Sequence, residues 1–329
     1  MRVLTNASPG RERLTGLVAQ AVRAPSSHNA QPWHFAVGDD VIDVFADRTR
    51  SLPVTDPWDR ELTIGCGAAV LTLRTAARGA GLRAETVVLP DGPDGDRIAE
   101  LRVTKAEDPA IGERQRAAAI DRRRTIRGPF SEDPLPAGLV AALADAAARE
   151  GATVVPADDG PTRAALGELV REGDTVQYHD PHWRRELATW LHPRRSGDGL
   201  PLPPGTGVLT RAVVAGANLG GFISAHDATL VESAQHVVIL CTADDEPMDW
   251  VRAGMALQRM LLVAAADGVQ AGYLNQPCQV AMLRPRLRLL AGGLTPQIVL
   301  RFGVPVRGHA EPSPRRQVAD VVERRPQRV

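Results

Sequence analysis

Lysine is almost missing from this chain of 329 residues: Lys105 is the only one among 39 basic side chains. Any anion site must therefore be built from guanidinium forks, which grip phosphate or carboxylate through paired, directional hydrogen bonds. Cysteine is scarce as well. Cys66, Cys241 and Cys278 form no CxxC pair and no zinc spacing, which fits reduced thiols in a cytoplasmic protein. No apolar run reaches the roughly 18 residues a membrane span needs, and no apolar signal region opens the chain, so neither membrane nor export is expected. Charge of one sign is not in excess, with 39 basic against 39 acidic residues, which argues against a general nucleic-acid binder. GxSxG and HExxH are absent, so no catalytic residue is nominated. The glycines at Gly205–Gly207 and Gly216–Gly220 make no GxGxxG after a strand, so a nicotinamide would visit as a substrate and not sit as a Rossmann ligand. His179, His182 and His192 have metal-like spacing but lack cysteine or carboxylate company, and no metal is assigned.

What is present is patterned. Apolar spacing predicts a helix over 11–23, strands His34–Val37 and Val41–Ala46 about a turn at Gly38–Asp40, and a helix over Leu62–Ala80. Strands Arg83–Leu89 and Glu100–Lys105 follow, then a connector over 107–135. Helices are expected over Pro136–Glu150, Pro161–Gly173 and Tyr178–Leu191, with a short strand at Thr153–Val155. Pro193–Gly207 is rich in Gly and Pro and reads as an irregular lid or binding loop.

Residues 236–303 repeat this grammar. Gly65–Gly79 aligns without gaps on Gly254–Gly268, and Leu101-Arg102-Val103 is echoed by Leu300-Arg301-Phe302. The expectation is an α+β fold of two related halves, each a long helix against an antiparallel sheet. The halves would be 1–110 and 111–318, with a lid at about 190–207 and a tail at 319–329 that is loose from Arg324 onward.

Three stretches are dense in binding groups. Pro25-Ser26-Ser27-His28-Asn29-Ala30-Gln31-Pro32-Trp33 offers hydroxyls and amides on a short loop; alone it reads as a capped turn over a buried tryptophan. Arg122-Arg123-Arg124-Thr125-Ile126-Arg127 with Phe130 is either a solvated linker or a phosphate site, since clustered guanidiniums repel until an anion or water neutralises them. Pro312-Ser313-Pro314-Arg315-Arg316 supplies a second basic pair.

Taken together, the Pro-Ser-Ser-x-Asn-x-Gln-Pro-Trp loop, the Arg-x-Thr-x-Arg element and the Pro-Arg-Arg tail resemble the nitroreductase family of flavoproteins. The length and the apparent duplication are similar to its actinobacterial Acg-like branch, in which one chain encloses a fused dimer. The resemblance implies a non-covalent FMN beside Pro25, Ser26, Ser27 and Asn29, held by Arg123, Arg124, Thr125, Arg127, Arg315 and Arg316. Arg123 would meet the phosphate, Thr125 the ribityl chain and Arg127 the flavin N1/O2 edge. Asn275 falls where the family places a backbone N–H near flavin N5, although the segment Tyr273–Gln276 departs from the common pattern. Phe130 stands one residue later than the family's phenylalanine. The resemblance further implies electron transfer from NAD(P)H, NADPH included, to a small acceptor that the sequence does not name. The alternative is a protein that sequesters FMN beneath a lid without turnover. Only one complete site is expected, because the stretch taken as the second half's loop, Val208–Gln235, lacks the motif. The chain would act as a monomeric pseudo-dimer or a homodimer, in the cytoplasm, without nucleic acid or membrane partners.

Overall fold

The computed structural model describes residues 8–106, 108–192, 197–202, 207–217, 229–306 and 312–326. The first part runs α1 (Arg11–Ala21), β1 (Trp33–Val37), β2 (Val41–Ala46), α2 (Arg60–Gly79), β3 (Leu82–Val88) and β4 (Arg97–Lys105). Then come α3 (Ile111–Arg122), α4 (Leu139–Ala148), β5 (Thr153–Pro156), α5 (Gly160–His179), α6 (Pro181–Thr189), β6 (Leu191–His192), β7 (Leu200–Pro201) and α7 (Gly207–Gly216). The last part is β8 (His236–Thr242), α8 (Pro247–Ala266), β9 (Gln270–Tyr273), α9 (Gln276–Gln279), α10 (Arg284–Leu290), β10 (Thr295–Gly303) and β11 (Val322–Arg324).

The two main sheets share one plan. The first has the order β11-β1-β2-β4-β3 and the second β5-β8-β10-β9. Apart from β11, neighbouring strands are antiparallel in both. In each, a 20-residue helix, α2 or α8, joins the second strand to the third. β8 and β10 are buried along their whole length, as befits a sheet covered on both faces. After buried Leu82, β3 alternates exposed and half-buried positions, because one of its faces meets water.

The long helices cross backbone to backbone. A Cβ added at Gly67 would stand 2.3 Å from the Val251 carbonyl oxygen, and one at Gly254 only 2.0 Å from that of Ile64. Ile64 belongs to the core around β8 and β10, whereas Val251 belongs to the core around β1–β4. Each helix thus lends a side chain to the core around the other sheet. The reciprocal contact matches Gly67 with Gly254, two residues away from the register that the gapless alignment of Gly65 on Gly254 suggests.

Other expectations need correction. The 107–135 connector contains α3, whose Ala117 fits the space left by Gly79, while Ala119 and Ile120 are buried. The helix expected from Tyr178 breaks at Asp180, because the residue before Pro181 cannot stay in the α region. Asp180 there accepts from the His182 backbone N–H at 2.7 Å and caps α6. β5 occupies the place that β1 has in the first sheet, so the counterpart of the Pro25–Trp33 loop is Arg149–Ala152, not Val208–Gln235. Nor is the tail loose at Arg324. β11 lies parallel to β1, and Arg325 pairs with Asp43 and Glu100. Of the tail, residues 327–329 lie outside the described residues.

Where the first half has a short turn between β1 and β2, the second has residues 157–235 between β5 and β8. Their described part forms a roof with a small apolar centre of Tyr178, Trp183 and Leu187. Of the lid expected at 190–207, residues 193–196 and 203–206 lie outside the described residues. Among those described, no helix is long and apolar enough to cross a membrane.

Candidate functional site

The Pro25–Trp33 loop leaves α1 and turns through three non-glycine residues in the left-handed region, His28 (φ 49°), Asn29 (φ 56°) and Gln31 (φ 53°). Such strain persists only where surroundings over-determine the backbone. Here the Ser26 hydroxyl accepts from the Gln31 backbone N–H at 2.9 Å. Asn29 Nδ2 donates to the carbonyls of Gly199 and Pro314, both at 3.0 Å, and Gln31 Nε2 donates to Gly197 at 3.0 Å. Trp33 is fully buried beneath the loop.

The loop forms one wall of a cavity of about 480 Å³ between the two halves and the roof. Arg123, Thr125, Arg127, Ser313 and Arg315 line its polar end, and Tyr178, Trp183, Leu187 and Leu200 line its apolar roof. Arg123 stands at the C-terminus of α3 and is buried. Arg123 Nη2 donates to the Arg23 carbonyl at 3.2 Å, and Arg315 Nη2 donates to the same oxygen at 3.1 Å. Two guanidiniums thus share one acceptor, and among the described residues neither has a carboxylate partner. Burial lowers both below their ordinary range, and the Arg123 charge adds to this for Arg315. Arg127 opens into the cavity and has no side-chain partner among the described residues.

Several lining groups are buried without a hydrogen-bond partner among the described residues: Arg123 Nε, Arg315 Nε, Tyr273 Oη and His28 Nε2. Burial pushes the Tyr273 phenol up to about 12 and lowers His28, so both favour their neutral forms. Buried polar groups are costly when unpaired, so a wall of them fits a polar, anionic ligand.

The arginine element is fixed from behind. Ile126 N donates to the Ala271 carbonyl at 2.9 Å, which extends β9 by one bridge at Thr125. Buried Arg301 donates to the carbonyls of Ile126 (3.0 Å) and Gly128 (2.9 Å) and lies 4.5 Å above the Phe130 ring. Phe130 therefore serves as the platform for the cation that holds the loop carrying Arg127.

Sequence reasoning missed Glu61, a 3 % exposed carboxylate in the cavity wall. It accepts from Ser27 Oγ, from Asn275 Nδ2 at 3.2 Å, from Gln279 Nε2 at 2.9 Å and from Arg60 at 3.3 Å. It thereby ties the loop of the first half to the second. An acid just inside the start of a long apolar helix was the signal available, and it was ambiguous with a helix-terminus charge.

No family model matches this chain. A Mycobacterium tuberculosis protein named "Putative NAD(P)H nitroreductase Rv3131" is 32 % identical over 326 residues, covering 96 % of this chain and 92 % of that protein. The chain belongs to the nitroreductase family. The M. tuberculosis protein named "Putative NAD(P)H nitroreductase acg" is 29 % identical, over 92 % of this chain and 93 % of its own length. A crystal structure named "putative nitroreductase", from Anabaena variabilis, shares the fold with a TM-score of 0.53 at 11 % identity, over 89 % of this chain and 88 % of that one.

Of the residues that the nitroreductase motifs single out, Pro25, Ser26, Ser27, Asn29, Arg123, Thr125, Arg127, Asn275 and Arg315 meet at the one cavity. Arg124 bends outward, donating to the carbonyls of Asp121 (2.6 Å) and Arg123 (2.9 Å). Arg316 faces away from the cavity and donates to the carbonyls of Gln31 (3.1 Å) and Trp33 (3.2 Å), fastening the loop's exit. Asn275 is turned by its own contacts, since its Oδ1 accepts from Val299 N at 3.0 Å. Among the described residues no three His, Cys, Asp or Glu side chains converge as a metal site would require. His179 bonds the Thr175 carbonyl at 2.7 Å, and the His192 side chain lies outside the described residues.

Proposed function

We propose that the cavity binds one FMN and that the protein is an oxidoreductase taking electrons from NAD(P)H to a small acceptor. The observation that carries this is the Arg123–Arg315 pair, set at the cavity's end with no carboxylate partner among the described residues. The names of the mycobacterial relatives support the reading. Arg123 and Arg315 would hold the phosphate, Thr125 the ribityl chain and Arg127 the pyrimidine edge, while Ser27 and Asn275 are held in place by Glu61. When bound, FMN would supply reversible uptake of hydride and of single electrons. The chain's own groups would neutralise the phosphate dianion, a cation at Arg127 would favour the negative charge of a reduced flavin, and the roof would limit water.

The shared sheet plan supports reading the chain as two fused halves divided near residue 110. The first would lend its loop to a site whose cations come from the second. The three unpaired, buried thiols support a reducing compartment such as the cytoplasm. Titrating the purified, flavin-stripped protein with FMN tests the proposal: saturable binding supports it, and an absence of binding ends it.

A second reading, sequestration without turnover, is favoured by how the roof is clasped. Arg50 pairs with Asp198 and lies 5.5 Å from the Trp190 ring, and Asn29 holds Gly199. Anaerobic NADPH separates the two readings. Rapid bleaching of the flavin spectrum supports turnover, and a persistent oxidised spectrum supports sequestration.

A further inference from the structure

Glu61 lies in the first turn of α2 and in the cavity wall, where donors from both ends of the chain converge on it. Ser27 Oγ gives it a hydroxyl proton, Asn275 Nδ2 reaches it at 3.2 Å, Gln279 Nε2 at 2.9 Å and Arg60 at 3.3 Å. Amide and guanidinium nitrogens donate only, so the carboxylate accepts from all of them and fixes which way each amide points. Gln279 turns its nitrogen to Glu61, and its oxygen takes the Gln177 amide of the roof at 2.8 Å. Asn275 is used at both ends, because its Oδ1 accepts from Val299 N at 3.0 Å. The Ser27 hydroxyl has a single proton, and Glu61 holds it. What Ser27 keeps for the cavity is its lone pairs.

We infer that Glu61 is a positioning residue that makes this wall select, through Ser27, a co-substrate carrying a hydrogen-bond donor, as in a planar carboxamide, against the carboxylate of the same shape. The inference rests on the flavin reading above, in which Arg127 is taken by the pyrimidine edge and is not free to hold a second anion. A carboxamide N–H can donate to Ser27 Oγ while Ser27 keeps Glu61. A carboxylate in that place meets only lone pairs. To bond it, Ser27 would have to turn its proton away from Glu61. That would leave the buried Glu61 one donor short beside a second negative charge. From the roof, Tyr178, Trp183 and Leu187 give a flat ring an apolar and aromatic cover. The nicotinamide ring of the proposed electron donor carries such a carboxamide.

The test is a difference titration of the flavin absorbance of the FMN-loaded full chain with nicotinamide and with nicotinate, in the parent, in Glu61→Gln and in Ser27→Ala. The parent is expected to bind nicotinamide at least about tenfold more tightly than nicotinate. In Glu61→Gln the preference should shrink to within about threefold, chiefly through tighter nicotinate, because a neutral amide does not claim the Ser27 proton as a carboxylate does. In Ser27→Ala it should shrink as far, through weaker nicotinamide. A role in the fold alone would weaken both ligands equally in Glu61→Gln, and that result overturns the inference. So does a parent that prefers nicotinate, shows no preference, or binds neither while holding FMN. Should Glu61→Gln lose its FMN, Ser27→Ala decides, and a preference equal to the parent's overturns the inference. A parent that does not hold FMN overturns the flavin reading instead.

Discussion

Arg315 Nη1 donates to Asn29 Oδ1 at 3.0 Å across 286 positions of sequence. The Arg315 carbonyl in turn accepts from Gly197 N at 3.2 Å, so loop, tail and roof meet at one residue. These contacts make the polar end of the cavity a joint product of segments that are remote in the chain.

Among the described residues Arg123 has no carboxylate to lose, so its removal should be felt mainly by the ligand. Arg123→Ala is expected to weaken FMN by about ten- to a hundredfold, the loss of one charge-assisted pair at about 1.5–3 kcal/mol. Fluorescence titration checks this; unaltered affinity would remove Arg123 from the phosphate site.

The Arg50–Asp198 pair and the Asn29–Gly199 hydrogen bond clasp the roof. Asp198→Asn should leave the fold intact and speed flavin reduction by dithionite several-fold, followed by stopped-flow absorbance. Rates equal to the parent would mean that this edge of the roof is not a gate.

The helix crossing leaves no room for a methyl group. Gly254→Ala would press a Cβ onto the Ile64 carbonyl, and a loss of about 3 kcal/mol is expected, at the upper end of ordinary overpacking. Gly16→Ala in α1 meets nothing within 4 Å and should be neutral or stabilising by up to about 1 kcal/mol. Urea midpoints of the two variants should move apart; similar shifts would contradict the close crossing.

Asp56 is buried beside Glu61, and its carboxyl is pushed up to about 6 by burial first and then by the Glu61 charge. A carboxyl raised in the folded state holds its proton longer there than in the unfolded chain. Stability is therefore unpenalised at about pH 4 and falls as pH rises toward about 6, by on the order of 3 kcal/mol. Asp56→Asn keeps an acceptor for Leu62 N, now met at 2.9 Å, and should melt above the parent at pH 8 but not at pH 4. Equal melting at both pH values would show that the carboxyl ionises freely.

One flavin per chain is expected, because the counterpart of the Pro25–Trp33 loop in the second half, Arg149–Ala152, has none of its hydroxyls and amides. Acid-released flavin measured against protein concentration decides it, and a ratio near two would refute the single site.

The stretches that line the cavity were legible because each is local: Ser26 to Asn29, Arg123 to Arg127 and Arg315 carry their polar groups in a few consecutive residues. The α+β class and the long helices were legible from period. Arg316 was misplaced because neighbouring side chains on an extended segment point opposite ways, so a basic pair sends one member into the cavity and one away. α3 was hidden by an apolar face made only of alanines and Ile120. A helix at Tyr178 and a covering loop after it were legible, but the apolar centre of the roof was not, since Tyr178, Trp183 and Leu200 gain their meaning only by lining the cavity opposite Glu61 and Ser27. The two-residue error in helix register has the same source: glycine spacing alone does not say which glycine faces the partner backbone.

β11 also fixes an order of events during synthesis. The strand that borders β1, and Arg315 just before it, leave the ribosome after every other described part of the site. Until they emerge, the first sheet has an open edge at β1, and the Pro25–Trp33 loop lacks Pro314, Arg315 and Arg316, the tail partners of Asn29 and Gln31. The polar end of the cavity is therefore complete only once Arg315 and the strand that follows it have been added to the nascent chain.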